Sequence, residues 1–172
     1  MSAAFGVLFL CTGNSARSIL AEAILNRMGA PGFRGYSAGS RPRGVVHPQA
    51  LALLERLGFE TGGFRSKSWD EFAAPGAPRI DVVITVCDKA ARETCPVWPG
   101  RPASGHWSMP DPAVAAESER EPGQAFASAY RTLHDRISAF CALPIAELDA
   151  QALKRRIDDI GRVDPSAAGP AE

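Results

Sequence analysis

Residues 5–18, FGVLFLCTGNSARS, decide the fold of this chain. The six residues before Cys11 are apolar or glycine and run into a Gly-Asn turn, a pattern that predicts a buried strand. From Ser18 onwards, apolar residues recur at helical spacing as far as Gly29, which predicts a helix that ends there. Cys11 therefore stands in a loop between a strand and a helix.

The loop after this strand has the composition of an anion-binding site. It contains no proline, so every residue offers an N–H group, and Gly13 and Asn14 tolerate the positive φ of a tight turn. Successive N–H groups in such a turn form an anion nest, and the positive end of the following helix points into it. The guanidinium of Arg17 matches a tetrahedral oxyanion and favours the thiolate form of Cys11. The predicted oxyanion-binding residues are Thr12, Gly13, Asn14, Ser15, Ala16, Arg17 and Ser18.

A cysteine followed six positions later by an arginine occurs twice in the chain, so the spacing alone is a weak signal. The second copy, Cys95 and Arg101, contains two prolines that lack N–H groups, and no strand leads into it. Context therefore makes Cys11 the candidate nucleophile. The alternative is a buried cysteine at a strand end with an unrelated arginine nearby.

The rest of the chain alternates between predicted strands and helices, which is typical of one α/β domain with a parallel sheet and helices on both faces. Residues 88–112 carry five prolines and allow only a brief strand. We assign residues 1–145 to this domain and 146–172 to a C-terminal helix with a frayed tail. The predicted strands are residues 5–10, 34–38, 80–86 and 106–107, and the predicted helices are 18–28, 48–57, 68–72, 124–140 and 148–160.

The composition excludes several classes of protein. The chain has 172 residues, enough for one domain, and its nineteen basic residues balance nineteen acidic ones. That balance argues against a dedicated binder of nucleic acid or of an anionic membrane. No apolar run approaches the roughly 18 residues of a membrane span, and the N-terminus lacks the pattern of a signal peptide. We therefore expect a cytoplasmic protein whose four cysteines are catalytic, metal-binding or inert.

The segment from Cys11 to Ser18 resembles the phosphate loop of the low-molecular-weight protein tyrosine phosphatase family, which reads Cys-x5-Arg-Ser after the first strand. Ser37-Ala38-Gly39 at the end of the second predicted strand and Asp111-Pro112 further along extend the likeness. It covers about residues 5–141 by its pattern of motifs and elements.

The resemblance implies a three-layer α/β/α fold with a central, mostly parallel four-stranded sheet. It also implies that Cys11 is the nucleophile, that Arg17 holds the oxyanion and that Asp111 protonates the leaving oxygen. Taken alone, Asp111-Pro112 is typical of a helix N-cap followed by proline at the first helical position. The two roles of Asp111 are compatible.

Two further features resemble the arsenate reductases built on this fold. Ala113 follows Asp111-Pro112 where the phosphatases usually carry an aromatic residue, and a small residue suits a small inorganic oxyanion. Cys87 ends the third predicted strand, at the same edge of the sheet as Cys11, and Cys95 lies in the loop beyond. The matching stretches are Val86-Cys87-Asp88, Thr94-Cys95-Pro96, His106-Trp107 and Arg65-Ser66-Lys67-Ser68-Trp69.

This resemblance implies a thiol relay that reduces arsenate to arsenite. Cys11 attacks arsenate, Cys87 attacks the Cys11–arsenic adduct, and Cys95 moves the resulting disulfide outward to an external reductant. Seven residues separate Cys87 from Cys95, about one more than in the thioredoxin-coupled members, a difference that a loop tolerates. The reductant is therefore left open between thioredoxin, glutaredoxin with glutathione and another thiol. We expect no bound cofactor, and we expect phosphate or sulfate as alternative occupants of the arsenate site.

Other functions are compatible with the same residues. A phosphatase acting on phosphotyrosine or a small phosphoester needs only Cys11, Arg17 and Asp111. A sensor of redox state or of oxyanions needs only a regulatory disulfide between Cys11 and Cys87, without turnover.

The later cysteines also have structural alternatives. Cys87 and Cys95 are alternatively small buried apolar residues or zinc ligands, although the chain has no Cys-x2-Cys and its three histidines are scattered. We therefore expect no metal site. Cys141 follows an apolar position of the longest predicted helix, so we expect it to pack in the core.

Overall fold

The computed structural model describes residues 3–118, 120–121 and 123–163. Its strands are β1 (Phe5–Leu10), β2 (Phe33–Ala38), β3 (Val82–Thr85) and β4 (Ala103–His106). They form one sheet in the order β2-β1-β3-β4, and every neighbouring pair is parallel. The predicted α/β fold with a central four-stranded sheet is confirmed.

The position of β1 in the middle of the sheet explains its uninterrupted apolar sequence. Val7 and Phe9 lie in the main core, while Leu8 and Leu10 lie in a smaller cluster on the other face, and all four are 0% exposed. Successive side chains of a strand point to opposite faces, so a strand covered on both faces needs apolar residues throughout.

The helices occupy the predicted positions to within a few residues. α1 begins at Arg17, one residue before the predicted start, and the longest helix buries an apolar stripe that contacts α1. The helices are α1 (Arg17–Met28), α2 (Pro48–Arg56), α3 (Asp70–Ala73), α4 (Asp88–Arg92), α5 (Pro112–Ala115), α6 (Gln124–Cys141) and α7 (Ala150–Arg162). Single 3-10 turns follow α5 and α6, at Ala116–Ser118 and Ile145–Glu147.

Three elements differ from the sequence prediction: β4, α4 and α5, a short helix that begins at Pro112 where the proline-rich region ends. β4 occupies Ala103–His106 and not residues 106–107, because the chain pairs with β3 as soon as Pro102 has passed. α4 was not predicted at all. It fits into the five residues Asp88–Arg92, ahead of the first proline at Pro96.

The C-terminal helix α7 covers the edge strand β4. The backbone N–H of His106 donates to the Asp158 carboxylate at 2.9 Å, and the Trp107 indole N–H donates to the Ile157 carbonyl at 2.8 Å. A sheet edge with unpaired N–H groups invites pairing with another chain, and α7 removes that opportunity here. The predicted frayed tail, from Asp164 onwards, lies outside the described residues.

None of the helices in the described ranges is both long and apolar enough to span a bilayer.

Candidate active site

The loop from Cys11 to Ala16 joins β1 to α1 at the carboxyl edge of the sheet, and its carbonyl groups are turned outward. The backbone N–H groups of Arg41 and Arg43 donate to the carbonyls of Thr12 and Gly13 at 2.9 and 3.0 Å. The N–H of His47 donates to the Ser15 carbonyl at 2.9 Å. Because these carbonyl groups are hydrogen-bonded to residues outside the loop, the N–H groups of the loop can face inward, as an anion nest requires.

Gly39 allows the segment after β2 to approach this loop. A Cβ atom at Gly39 would lie 2.7 Å from the Cys11 carbonyl oxygen and 3.0 Å from the Asn14 nitrogen. Both distances are too short for a real side chain, so only glycine lets the two backbones run side by side. Close packing against the loop therefore explains why glycine follows Ser37-Ala38.

Asn14 fixes the shape of the loop from within. Its backbone is left-handed, with φ of 43°, and the residue is completely buried. Its side-chain oxygen accepts from the Lys67 N–H at 2.9 Å, and its amide donates to the Ser18 hydroxyl oxygen at 2.8 Å. An asparagine tolerates this backbone conformation, and the two hydrogen bonds hold it there.

The Cys11 sulfur lies beside the first turn of α1. It is 2.9 Å from the Ser18 hydroxyl oxygen, and Cys11 is only 4% exposed. Because the Ser18 oxygen already accepts from Asn14, its single proton is available to the sulfur.

Arg17 and Asp111 face each other across the mouth of the loop. The Arg17 guanidinium donates to the Met109 carbonyl at 3.1 Å and lies 3.5 Å from one oxygen of the Asp111 carboxylate. The other carboxylate oxygen accepts from the Ala113 N–H at 2.9 Å, so Asp111 is also the N-cap of α5. Asp111 therefore caps α5 and also lines the pocket that Cys11 lines; its role as a proton donor stays a prediction.

Cys87 opens onto the same pocket as Cys11. It follows β3 directly, is 3% exposed, and its sulfur lies 3.6 Å from the Thr12 hydroxyl oxygen. The sulfur also accepts from the Ala90 N–H at 3.3 Å, which makes Cys87 the N-cap of α4. Parallel strands that end at one edge of the sheet bring the two cysteines together.

Cys95 lies elsewhere. It is exposed, its sulfur points to the Glu93 carbonyl at 3.8 Å, and it lines a second cavity of about 390 Å³ beside Trp98 and His106. Partial burial of the sulfur and the nearby Glu93 carboxylate raise the pKa of its thiol. The structure therefore brings together two of the three predicted relay cysteines.

The pocket shared by Cys11 and Cys87 has a volume of about 630 Å³ and a cationic rim. Lys89, Arg41 and Arg43 line it, and sequence reasoning missed both arginines. The signal available for these arginines was their place just after Ser37-Ala38-Gly39, the segment that runs beside the loop. Positive side chains around a pocket attract oxyanions.

His106 was placed on a predicted strand, but sequence reasoning gave its side chain no role in the site. Its ring nitrogens contact the Thr85 hydroxyl oxygen at 2.6 Å and the Asp88 carboxylate at 2.9 Å, which links β3 and β4 to the start of α4. Hydrogen bonds from His106 and from Ser108 lower the pKa of the Asp88 carboxyl group. No local sequence pattern indicates this link, because its members come from three elements.

Cys141 takes no part in the site. It ends α6 and packs against the main core, and burial raises the pKa of its thiol. Among the residues that the structure describes, no group of three or more His, Cys, Asp or Glu side chains is arranged to hold a metal ion.

Comparison with known proteins agrees with this geometry. The model of the family described as low molecular weight phosphotyrosine protein phosphatase matches residues 6–155. The chain belongs to this family.

Several relatives within the family are named arsenate reductases. The arsenate reductase of Halalkalibacterium halodurans is 32% identical over 134 residues, which cover 78% of this chain and 93% of that protein. The solved structure of an arsenate reductase in its phosphate-binding state matches with a TM-score of 0.65 and 27% identity, over 80% of this chain and 97% of the other. The thioredoxin-dependent arsenate reductase of Corynebacterium glutamicum matches with a TM-score of 0.59 and 26% identity, over 80% and 60% of the two chains. The resemblance to this branch, predicted from the cysteine-containing stretches, is confirmed.

Proposed function

We propose that this protein reduces arsenate to arsenite by a relay through Cys11, Cys87 and Cys95. The observation that carries the proposal is that Cys11 and Cys87, two cysteines 76 positions apart, open onto one oxyanion-sized loop, with Thr12 between them. A phosphatase of this fold needs a single cysteine there, whereas reduction of arsenate needs a second thiol within reach. The arsenate reductases among the relatives support the same reaction.

In the first step arsenate binds in the loop, held by the inward N–H groups and by Arg17. The Cys11 thiolate attacks arsenic, so that an arsenic–sulfur bond forms and an arsenic–oxygen bond breaks. Asp111 gives its proton to the departing oxygen, which leaves as water. Arsenic is still pentavalent at this point.

In the second step the Cys87 thiolate attacks the Cys11 sulfur. A Cys11–Cys87 disulfide forms, and the electron pair of the arsenic–sulfur bond stays on arsenic, which leaves as trivalent arsenite. The carboxyl edge of the parallel sheet supplies the proximity for this step, because β1 and β3 end side by side.

In the third step Cys95 attacks Cys87, which releases Cys11 and leaves a Cys87–Cys95 disulfide. Because Cys95 lines a different cavity from Cys87, residues 88–94 must rearrange to bring the sulfurs together. An external thiol reductant then returns two electrons and restores both thiols. No bound cofactor is required, and the relay needs a thiol reductant from outside the chain.

The reductant is thioredoxin, or glutaredoxin with glutathione. The thioredoxin-dependent relative from Corynebacterium glutamicum supports the first of these. Phosphate and sulfate are expected to compete with arsenate for the loop, since both are tetrahedral oxyanions, and a relative was solved in a phosphate-binding state.

The experiment is arsenate-dependent oxidation of NADPH, coupled through thioredoxin reductase in one arm and through glutathione reductase with glutaredoxin in another. The wild-type protein turns over, Cys11→Ser is inactive, and Cys87→Ser and Cys95→Ser lose catalytic turnover. Cys141→Ser is the matched control and keeps full activity. Arsenate turnover that persists in both Cys87→Ser and Cys95→Ser contradicts the relay.

A phosphatase assay on p-nitrophenyl phosphate tests the second candidate function. Cys11, Arg17 and Asp111 suffice for that reaction, but Ala113 lines the pocket where an aromatic residue would stack on the substrate ring. We expect weak phosphatase activity that survives Cys87→Ser. High phosphatase activity without arsenate turnover would replace the reductase proposal with a phosphatase.

A further inference from the structure

A buried ion pair outside the pocket has no role in the steps above. The Lys67 ammonium lies 3.8 Å from the Glu22 carboxylate, and the two side chains are 8% and 13% exposed. Taking charged groups out of water is costly unless they are paired and hydrogen-bonded, so such a pair calls for a reason.

The pair joins three parts of the fold. Glu22 is on α1, one turn beyond Ser18, and the Ser37 hydroxyl at the end of β2 donates to its carboxylate at 3.4 Å. The Lys67 ammonium also donates to the Arg65 carbonyl at 3.2 Å and to the Ser37 oxygen at 3.5 Å. Every contact of the ammonium is therefore with oxygen, which holds the side chain in one place.

Burial disfavours the charged forms of both side chains, and the attraction between the two charges opposes this effect. Burial raises the pKa of the Glu22 carboxyl group, while Lys67 acts to lower it. Burial lowers the pKa of the Lys67 ammonium, while Glu22 acts to raise it. The other charged groups that act on the pair are Arg34, Arg65 and Glu71.

The backbone of the same lysine reaches the catalytic loop. The Lys67 N–H donates to the Asn14 side-chain oxygen at 2.9 Å. Because a backbone N–H only donates, this bond determines which end of the Asn14 amide is oxygen and turns its NH₂ group toward Ser18, 2.8 Å away. The Ser18 proton is then directed to the Cys11 sulfur at 2.9 Å.

We propose that Lys67 is a positioning residue for the Cys11 thiolate. Glu22 and Ser37 hold the Lys67 ammonium, and this fixes the position of the Lys67 backbone N–H beside Asn14. Lys67 then donates to Asn14, Asn14 donates to Ser18, and Ser18 donates to the Cys11 sulfur. The inference goes beyond the proposed reduction of arsenate, because it concerns the nucleophile whatever substrate follows.

The test measures the reactivity of Cys11 without any substrate. Iodoacetamide reacts with thiolates, so the alkylation rate followed against pH reports how readily Cys11 ionises. The tryptic peptide 1–17 contains Cys11 and no other cysteine, so mass spectrometry of that peptide separates it from the three other thiols of the intact chain.

For Lys67→Met we expect the midpoint of the alkylation profile to rise by about one pH unit, the size of effect that one hydrogen bond to a charged group has. Glu22→Gln is expected to shift it in the same direction by a smaller amount, because the ammonium loses its anchor. The matched control is Lys154→Met, which removes the exposed pair of Lys154 with Asp158 at 2.9 Å and leaves the profile unchanged.

The sign of the Glu22→Gln shift separates positioning from a simple effect of charge. If the ammonium acted only through its field, removing the nearby negative charge would lower the midpoint, and that result would overturn the proposal. An unchanged midpoint in Lys67→Met would overturn it as well. If circular dichroism shows that Lys67→Met does not fold, Ser37→Ala replaces it. The midpoint of the alkylation profile is expected to rise in that variant too, and an unchanged midpoint would overturn the proposal.

The experiments distinguish failure of the reductase proposal from failure of the proposed role of Lys67. A protein that shows the alkylation shifts but no arsenate turnover refutes the relay and leaves the role of Lys67 standing.

Discussion

The catalytic loop, residues 11–18, and the segment that carries Cys95, residues 88–102, are held in opposite ways. The loop is buried, and hydrogen bonds from the segment after β2 and from Lys67 fix its backbone. The segment is one short helix followed by three prolines, with Val97 88% exposed. The Thr12 hydroxyl donates to the Glu93 carboxylate at 3.2 Å, and the Asp88 carboxylate contacts the His106 ring, which ties the segment to the rest of the site.

The difference fits what each part does in the proposed relay. A nucleophile and its anion nest stabilise a transition state best when they are already in place, so the loop has no freedom to lose. A relay thiol must visit one partner inside the protein and another outside it. Segments with few buried contacts open at low free-energy cost, and this one is built that way.

The largest effect expected is on the rigid side of the comparison, in Arg17→Lys. Lysine keeps the positive charge but cannot present two parallel N–H groups to an oxyanion, nor reach the Met109 carbonyl with the same geometry. We expect kcat/KM for arsenate to fall about 1000-fold. Arg41→Lys, on the rim, is the control and is expected to keep its activity; a similar loss there would mean that the effect is not specific to the Arg17 guanidinium.

Asp111→Asn separates the two roles of that residue. Asparagine caps helices as well as aspartate does, so α5 keeps its first turn while the proton donor is lost. We expect kcat to fall about 100-fold with no change in the free energy of unfolding. Asp149→Asn, at the N-cap of α7, is the matched control and keeps full activity. If the free energy of unfolding of Asp111→Asn fell by as much as its activation free energy rose, helix capping alone would explain the loss of activity.

Gly39→Ala tests the close packing around the loop. The added methyl group would meet the Cys11 and Thr12 carbonyls, so one of the two backbones must move. We expect the free energy of unfolding, measured in urea, to fall by about 2 kcal/mol. Gly62→Ala is the control, because a Cβ there meets nothing within 4 Å. Equal stabilities of the two variants would show that the loop is less constrained than its contacts indicate.

The smallest effect belongs to the loosely held segment, in Asp88→Asn. Its contact with His106 lowers the pKa of a carboxyl group that is mostly exposed, so water screens most of the gain. A carboxyl with a lowered pKa stabilises the fold above the ordinary value of 3.8 and loses that contribution as the pH falls through its lower folded value. We expect a loss of less than about 0.5 kcal/mol at neutral pH and none near pH 2. A loss above about 2 kcal/mol would show a firmly held segment.

Sequence reasoning located the fold because its signals were local. An apolar run, a Gly-Asn turn and a helical repeat are each complete within a few residues, and the order of strands and helices then limits the topology. The same reasoning missed α4 and misplaced β4. The prolines of residues 88–112 argued against regular structure there, although the stretches without proline are long enough for a short helix and a short strand. The roles of Cys11, Arg17 and Asp111 remain predictions, although the structure places all three around one pocket.

The sequence by itself determined the buried strand, the proline-free loop with its cysteine and arginine, and the number of thiols available. Only the tertiary structure decided which of them meet. Cys87 lines the same pocket as Cys11 because two parallel strands end together, and Lys67 contacts Asn14 because β2 and the segment after it lie against the loop. Contacts between residues more than 50 positions apart leave no periodicity in the sequence, because they depend on how elements pack and not on the chain between them.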